Sequence, residues 1–99
     1  MKVTLQREND AMHFAGSSAS SDVKVHIDGS PEIGGEGLGV RPMELVLFAL
    51  GSCSVFDLSV ILKKQRQQIE DIQVEVEGKR REEIPTIFTN IHIAFTLKG

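Results

Sequence analysis

Cys53 is the single cysteine of the chain, and its thiol is the first candidate for chemistry. A lone thiol cannot form a disulfide within its own chain, so it is either an inert buried residue or a used nucleophile. Asp57 follows four residues later, and its charge would oppose ionisation of the thiol if the two side chains meet. The histidines His13, His26 and His92 are scattered without metal-like spacing, and we expect neither a metal nor another cofactor.

Cys53 lies within a long apolar stretch that predicts an α-helix from about residue 42 to about residue 68. Pro42 suits the first helical position because it has no amide hydrogen to leave unpaired. The helix is apolar on most of its circumference in its first half, which we expect to form the hydrophobic centre of the fold or of a dimer.

The position of Cys53 along this helix leaves its activation unexplained. It comes about three turns after Pro42, beyond the reach of the helix dipole at the first turn. Glu44 precedes it by nine residues, which at about 100° per residue places the two side chains on roughly opposite faces. A cation from elsewhere must therefore lower the pKa of the thiol, and Arg41 or a cation from a second subunit is the candidate.

The segments on either side of the helix alternate between apolar and polar residues and predict antiparallel strands. Three short strands precede the helix, centred on Val3–Leu5, Met12–Phe14 and Val23–Ile27, and two long strands at 72–76 and 91–97 follow it. We expect a loop from Gly16 to Ser21 and a glycine-rich loop from Gly29 to Gly39, with Pro85 ending or bulging a later strand. The fold class is therefore α+β.

The composition describes one small globular domain. The chain has 99 residues, of which 40% are apolar and 25% charged, with a net charge of −3 and neither Trp nor Tyr. This charge and the lack of large stacking rings argue against nucleic acid as a partner. Polar residues interrupt the apolar run at 45–62, so we expect no membrane association and a cytoplasmic location, where a reduced thiol persists.

The motif residues together resemble the OsmC/Ohr superfamily, and within it the OsmC-like branch of redox proteins. The resemblance rests on five segments: 41–45, 49–53 with Asp57, 61–64, 80–85 and 88–92. It implies a single OsmC-like domain over residues 1–99, with an antiparallel sheet wrapped around a long central helix and an intertwined homodimer. By the same resemblance, Cys53 matches the cysteine that attacks the peroxide and Glu44 matches the glutamate of an Arg–Glu pair.

Two departures from the family pattern bear on the activity. The chain stops at Gly99, where the resemblance implies a further helix with a second cysteine, so the domain is expected to be C-terminally truncated relative to the family. An external thiol would then have to act as the reductant. No arginine occupies the third strand or the glycine-rich loop, and Arg7 and Arg41 are the nearest candidates for supporting the thiolate.

Two hypotheses follow from different classes of function. The first is an oxidative stress enzyme in which Cys53 reduces organic hydroperoxides and an external thiol regenerates it. The second is a non-catalytic homodimeric stress or ligand-binding protein, in which Cys53 is buried and the apolar surroundings of Phe48, Leu50 and Phe56 hold a small hydrophobic ligand or only pack.

Overall fold

A computed structural model describes residues 1–80 and 88–98. It divides into two compact units, Met1–Leu45 and Val46–Gly99, which are described separately below. The α+β class predicted from the sequence is confirmed. The elements in chain order are the strands β1 (Val3–Arg7), β2 (Phe14–Ser18) and β3 (Ser21–Ile27), a 3-10 turn (Pro31–Ile33), the helix α1 (Pro42–Lys64), and the strands β4 (Asp71–Arg80) and β5 (Phe88–Lys98).

The first unit contains an antiparallel sheet in the order β1-β2-β3. The predicted loop from Gly16 to Ser21 is wrong, because β2 continues to Ser18, which pairs with Ser21 across a turn of two residues. The register shifts between Gly16 and Ser18, as at a bulge. Pairing with both neighbouring strands supplies backbone hydrogen bonds that outweigh the weak strand preference of glycine and serine.

The two faces of this sheet differ in character, as the alternation along each strand requires. One face carries exposed apolar side chains, among them Val3, Leu5, Val23 and Val25. On β2 and β3 the opposite face is polar, apart from the buried Ala15, which pairs with His26. Asp28 directly follows β3 and leads into the glycine-rich loop.

Asp28 is the buried charged side chain of the described residues, with 2% of its surface exposed. One carboxylate oxygen accepts the backbone N–H of Glu36 at 3.0 Å and that of Leu38 at 3.1 Å, and the other accepts that of Gly29 at 2.8 Å. These bonds, led by the one from Glu36, hold the pKa of Asp28 below its ordinary value, and the charge of His13 adds to the effect. The buried carboxylate therefore ties both ends of the loop together.

The backbone on either side of the loop completes this arrangement. Asp28 N–H donates to the carbonyl of Val40 at 2.9 Å, and Val40 N–H donates to the carbonyl of His26 at 3.0 Å. Gly39 must be glycine for this close approach, since a Cβ atom there would collide with the backbone of His26. The loop thus delivers the chain to the start of α1 from a position anchored on β3.

The second unit contains the two long strands that the sequence predicts, β4 and β5, and the structure pairs them antiparallel from Asp71 with Lys98 to Arg80 with Phe88. The register shifts between Lys79 and Arg80, near the end of the described part of β4. The predicted effect of Pro85 lies outside the described residues.

The helix α1 ends at Lys64, four residues earlier than predicted. Arg66 adopts a left-handed conformation with φ 58°, its N–H donates to the carbonyl of Lys63, and Gln67 N–H donates to the carbonyl of Leu62. This is the Schellman arrangement, with arginine at the position that glycine usually takes. The prediction failed because the polar residues at 65–68 carry no glycine or proline to mark the end.

The helix is largely uncovered in the single chain. Of its residues, all of which the structure describes, only Gly51 is buried, so the predicted hydrophobic centre is not formed within this chain alone. By length and composition α1 could also cross a membrane, with a mean hydropathy of 2.2 over its most apolar window. The core helix of a soluble protein can pass the same test, which makes this weak evidence.

The carboxylate of Asp28 should make the stability of the protein sensitive to acid. Its folded-state pKa lies below the ordinary value of 3.8, so its stabilisation is fully present above that value and is lost as the pH falls through the folded-state pKa. We expect Asp28→Asn to lower the urea midpoint at pH 7, because an amide nitrogen would face backbone N–H donors.

The check is urea unfolding followed by circular dichroism between pH 7 and pH 2.5. Asp22→Asn, which changes an exposed carboxyl on β3, is the matched control. The acid-dependent fall of the midpoint should be smaller in Asp28→Asn than in the control. An identical pH dependence in the two variants would contradict the assignment.

Candidate functional site

Cys53 lies on α1, where it is exposed and forms no disulfide. The expectation of a buried Cys53, which belonged to the non-catalytic hypothesis, is therefore wrong for the single chain. The flanking hydroxyl groups are used inside the helix: Ser52 donates to the carbonyl of Phe48 at 2.7 Å and Ser54 to that of Leu50 at 2.8 Å. Their protons are thus committed to the backbone one turn earlier, and the thiol is open to molecules in solution.

Gly51 marks the side of the helix that faces β4, and Cys53 lies on a different side. A Cβ atom at Gly51 would lie 2.7 Å from Cγ2 of Val76 and 3.7 Å from Cγ1 of Val74, so the helix backbone comes close to β4 at this point. Two residues further on, the helix has turned by about 200°, which places Cys53 on the side away from this contact. The close approach of Gly51 to β4 therefore accounts for the exposure of the thiol.

Glu44 has a structural partner at the start of α1. Its Oε1 accepts the backbone N–H of Arg41 at 2.9 Å, while the carbonyl of Arg41 accepts the N–H groups of Glu44 and Leu45. This is one half of a capping box, in which the side chain at the third helical position satisfies the residue before the helix. The observed geometry gives Glu44 a capping role, and its role beside Cys53 stays a prediction.

Arg41 and Arg7, the two candidate cations, both act within the first unit. Three influences lower the pKa of Glu32: chiefly a hydrogen bond from the Ser30 hydroxyl, then a backbone hydrogen bond, and last the positive charge of Arg41. Arg7 donates to the carbonyls of Ala11 at 3.0 Å and Asp10 at 2.6 Å, which ties it to the turn between β1 and β2. Support of the thiolate by Arg41 remains a prediction.

His13 and His26 are neighbours in the structure, although they are thirteen residues apart and their spacing does not predict a contact. Nε2 of His13 lies 2.9 Å from Nδ1 of His26, and the ring centroids are 5.1 Å apart. Ala15 pairs with His26 and Phe14 with Ile27, so the two histidines are diagonal neighbours on one face of the sheet. The register of the hairpin is the signal that could have predicted this contact.

The described residues also line two cavities. One, of about 220 Å³, lies on the apolar face of the first sheet, and its lining includes Leu5, Val25, Ile27 and Leu45. The other, of about 730 Å³, lies where α1 leads into β4 and is lined by polar and charged as well as apolar residues. The proposed apolar surroundings of Phe48 and Phe56 are open in the single chain, where these side chains are 62% and 68% exposed.

Comparison with known proteins places this geometry in a family context. The profile of a family described as OsmC-like protein matches residues 34–99. Protein YhfA of Escherichia coli (strain K12) is 39% identical over 90 residues, which cover 91% of this chain and 63% of the relative. The chain therefore spans less than two thirds of the length of that curated relative.

Two solved structures share the fold. A hypothetical protein from Aquifex aeolicus VF5 is 35% identical with a TM-score of 0.78, and the match covers 97% of this chain and 64% of the other. A proposed osmotic stress induced and detoxification response protein from Psychrobacter arcticus 273-4 has a TM-score of 0.88 at 17% identity, over 100% of this chain and 71% of the other. At that identity the second likeness concerns the fold alone.

The capping role of Glu44 can be separated from a role in thiol chemistry by two variants. Glu44→Ala removes both the acceptor and the charge and should lower the free energy of unfolding by about 0.5–1 kcal/mol. Glu44→Gln keeps an oxygen that can accept the Arg41 N–H and should recover most of that loss. Urea unfolding measures both effects. Equal destabilisation by the two variants would contradict a cap based on this hydrogen bond.

Proposed function

Since the chain belongs to the OsmC-like protein family, we propose that it reduces organic hydroperoxides through Cys53 as part of oxidative stress defence. The observation that carries the proposal is the exposed thiol of Cys53 on α1, at the position that the family resemblance gives to the reacting cysteine. Access from solution is what an attack on a peroxide requires, and a buried thiol would be inert.

The proposed reaction has two halves. The Cys53 thiolate attacks the terminal peroxide oxygen, the O–O bond breaks, and the sulfur becomes a sulfenic acid while the alcohol leaves after taking up a proton. An external thiol then displaces water from the sulfenic acid to form a mixed disulfide, and a second external thiol regenerates Cys53. A reducing cytoplasm, the compartment that we propose, would supply such thiols.

The reaction needs a positive charge near Cys53 to stabilise the thiolate. Asp57 lies one helical turn after Cys53 and is exposed, so the described residues near the thiol on α1 add negative and not positive charge. Arg41, or a cation from a second subunit, is the proposed counterweight, and because about 18 Å of helix separates Arg41 from Cys53 in one chain, this Arg41 would belong to the second subunit.

A homodimer is part of the proposal, because α1 exposes large apolar side chains that water disfavours. Phe48, Phe56, Val60 and Ile61 are each more than 40% exposed. A second copy of the chain would cover such a surface and is the partner that the family resemblance implies.

A second candidate function is the binding of a small hydrophobic molecule without catalysis. The cavity of about 220 Å³ on the first sheet favours it, since its lining is mainly aliphatic. In this case the thiol of Cys53 would be accessible but unreactive toward peroxides.

The deciding experiment is intact mass spectrometry after a brief, near-stoichiometric exposure to cumene hydroperoxide with dimedone present. We expect rapid formation of one dimedone adduct, which is lost in Cys53→Ser. The trap is needed because oxidation of any of the three methionines adds the same mass as a sulfenic acid. An unmodified thiol at high peroxide would refute the peroxidase and favour the binding protein.

The homodimer is tested by sedimentation velocity at low micromolar concentration without detergent. We expect a dimer, and we expect Phe56→Glu to weaken it because a charge would enter the covered apolar surface. A stable, well-folded monomer would contradict the proposal. If the protein instead pellets together with added lipid vesicles, α1 associates with a membrane.

A further inference from the structure

We propose that His13 and His26 form a two-histidine binding site for Cu²⁺, separate from the chemistry of Cys53. The two rings come from β3 and from the residue that precedes β2, and their nearest nitrogens are 2.9 Å apart. Imidazole nitrogen is a common ligand of transition metals, and Cu²⁺ binds nitrogen ligands most tightly among the divalent first-row ions.

The distance between the nitrogens is short enough for both to reach one metal ion. Two nitrogens bound about 2.0 Å from one metal ion are about 2.8 Å apart at the right angle of a square-planar site. The tetrahedral angle that Zn²⁺ prefers would separate them by about 3.3 Å. The observed 2.9 Å is the length of an N–H···N hydrogen bond, so it shows that the two nitrogens come close enough to share one ion, and the preference for Cu²⁺ rests on the affinity order of the ions.

Binding requires only a local change in the pair. In the hydrogen-bonded state one ring donates its N–H to the bare nitrogen of the other. When the donor ring moves that proton to its other nitrogen and turns, both nitrogens present lone pairs to the ion, and no net proton is released. His26 is exposed and His13 half-buried, so solvent gives the ion access to the pair.

The surroundings supply charge but no third side-chain ligand. Asp28 lies near enough to His13 for their charges to interact, and its carboxylate is committed to the backbone N–H groups of the loop. Among residues 1–80 and 88–98, no group of three or more His, Cys, Asp or Glu side chains is placed to hold a metal. Water would complete the square plane, and we expect binding of moderate strength.

The test is a Cu²⁺ titration of the full chain at pH 7.5, followed by electron paramagnetic resonance, in a Cys53→Ser background. That substitution removes the thiol, which would otherwise bind or reduce the ion. We expect one equivalent to bind with the hyperfine pattern of nitrogen ligands. His13→Gln and His26→Gln should each weaken binding by roughly tenfold or more, because one ligand is lost.

His92→Gln is the matched control, since His92 is an exposed histidine of β5 in the other unit. It should leave the affinity and the spectrum unchanged. Circular dichroism confirms that each variant is folded, and His26→Gln, at an exposed side chain, decides the matter if His13→Gln destabilises the sheet. Unchanged affinity in folded His26→Gln, or binding that depends on His92, would overturn the proposal.

Discussion

The buried carboxylate of Asp28 is the interaction on which the first unit depends. A buried charge is costly unless hydrogen bonds replace water, and here three backbone N–H groups of the glycine-rich loop do so. The same bonds give this loop, in which five of residues 29–39 are glycine, a defined path from β3 to the start of α1. The Arg41–Glu44 cap then begins the helix at that place.

Most of the apolar surface of α1 is exposed to solvent in the single chain, which is energetically unfavourable. Its backbone is in close contact with β4 at Gly51, where the absence of a side chain allows the approach. That contact leaves the far side, which carries Cys53, exposed. The feature that makes the thiol accessible also leaves the apolar surface for which we propose a second copy of the chain.

The family and the fold class followed from the sequence because they depend on local patterns. Apolar periodicity marked α1 and the strands, and Pro42 marked the first helical residue. The sequence predicts wrongly where the local pattern is weak: it indicates a loop at the serine-rich end of β2 and helix at the polar residues after Lys64. Pairing with the neighbouring strands extends β2 to Ser18, and a Schellman turn with Arg66 in place of glycine ends the helix at Lys64.

The sequence by itself therefore determined the succession of elements, the membership of the OsmC-like family and the identity of Cys53 as the candidate nucleophile. Only the tertiary structure decided that Asp28 is buried, that the thiol is exposed and that His13 and His26 touch. Those properties depend on contacts between residues that are distant in the chain, and on the register with which strands pair. The local sequence around a residue specifies neither these distant contacts nor the strand register.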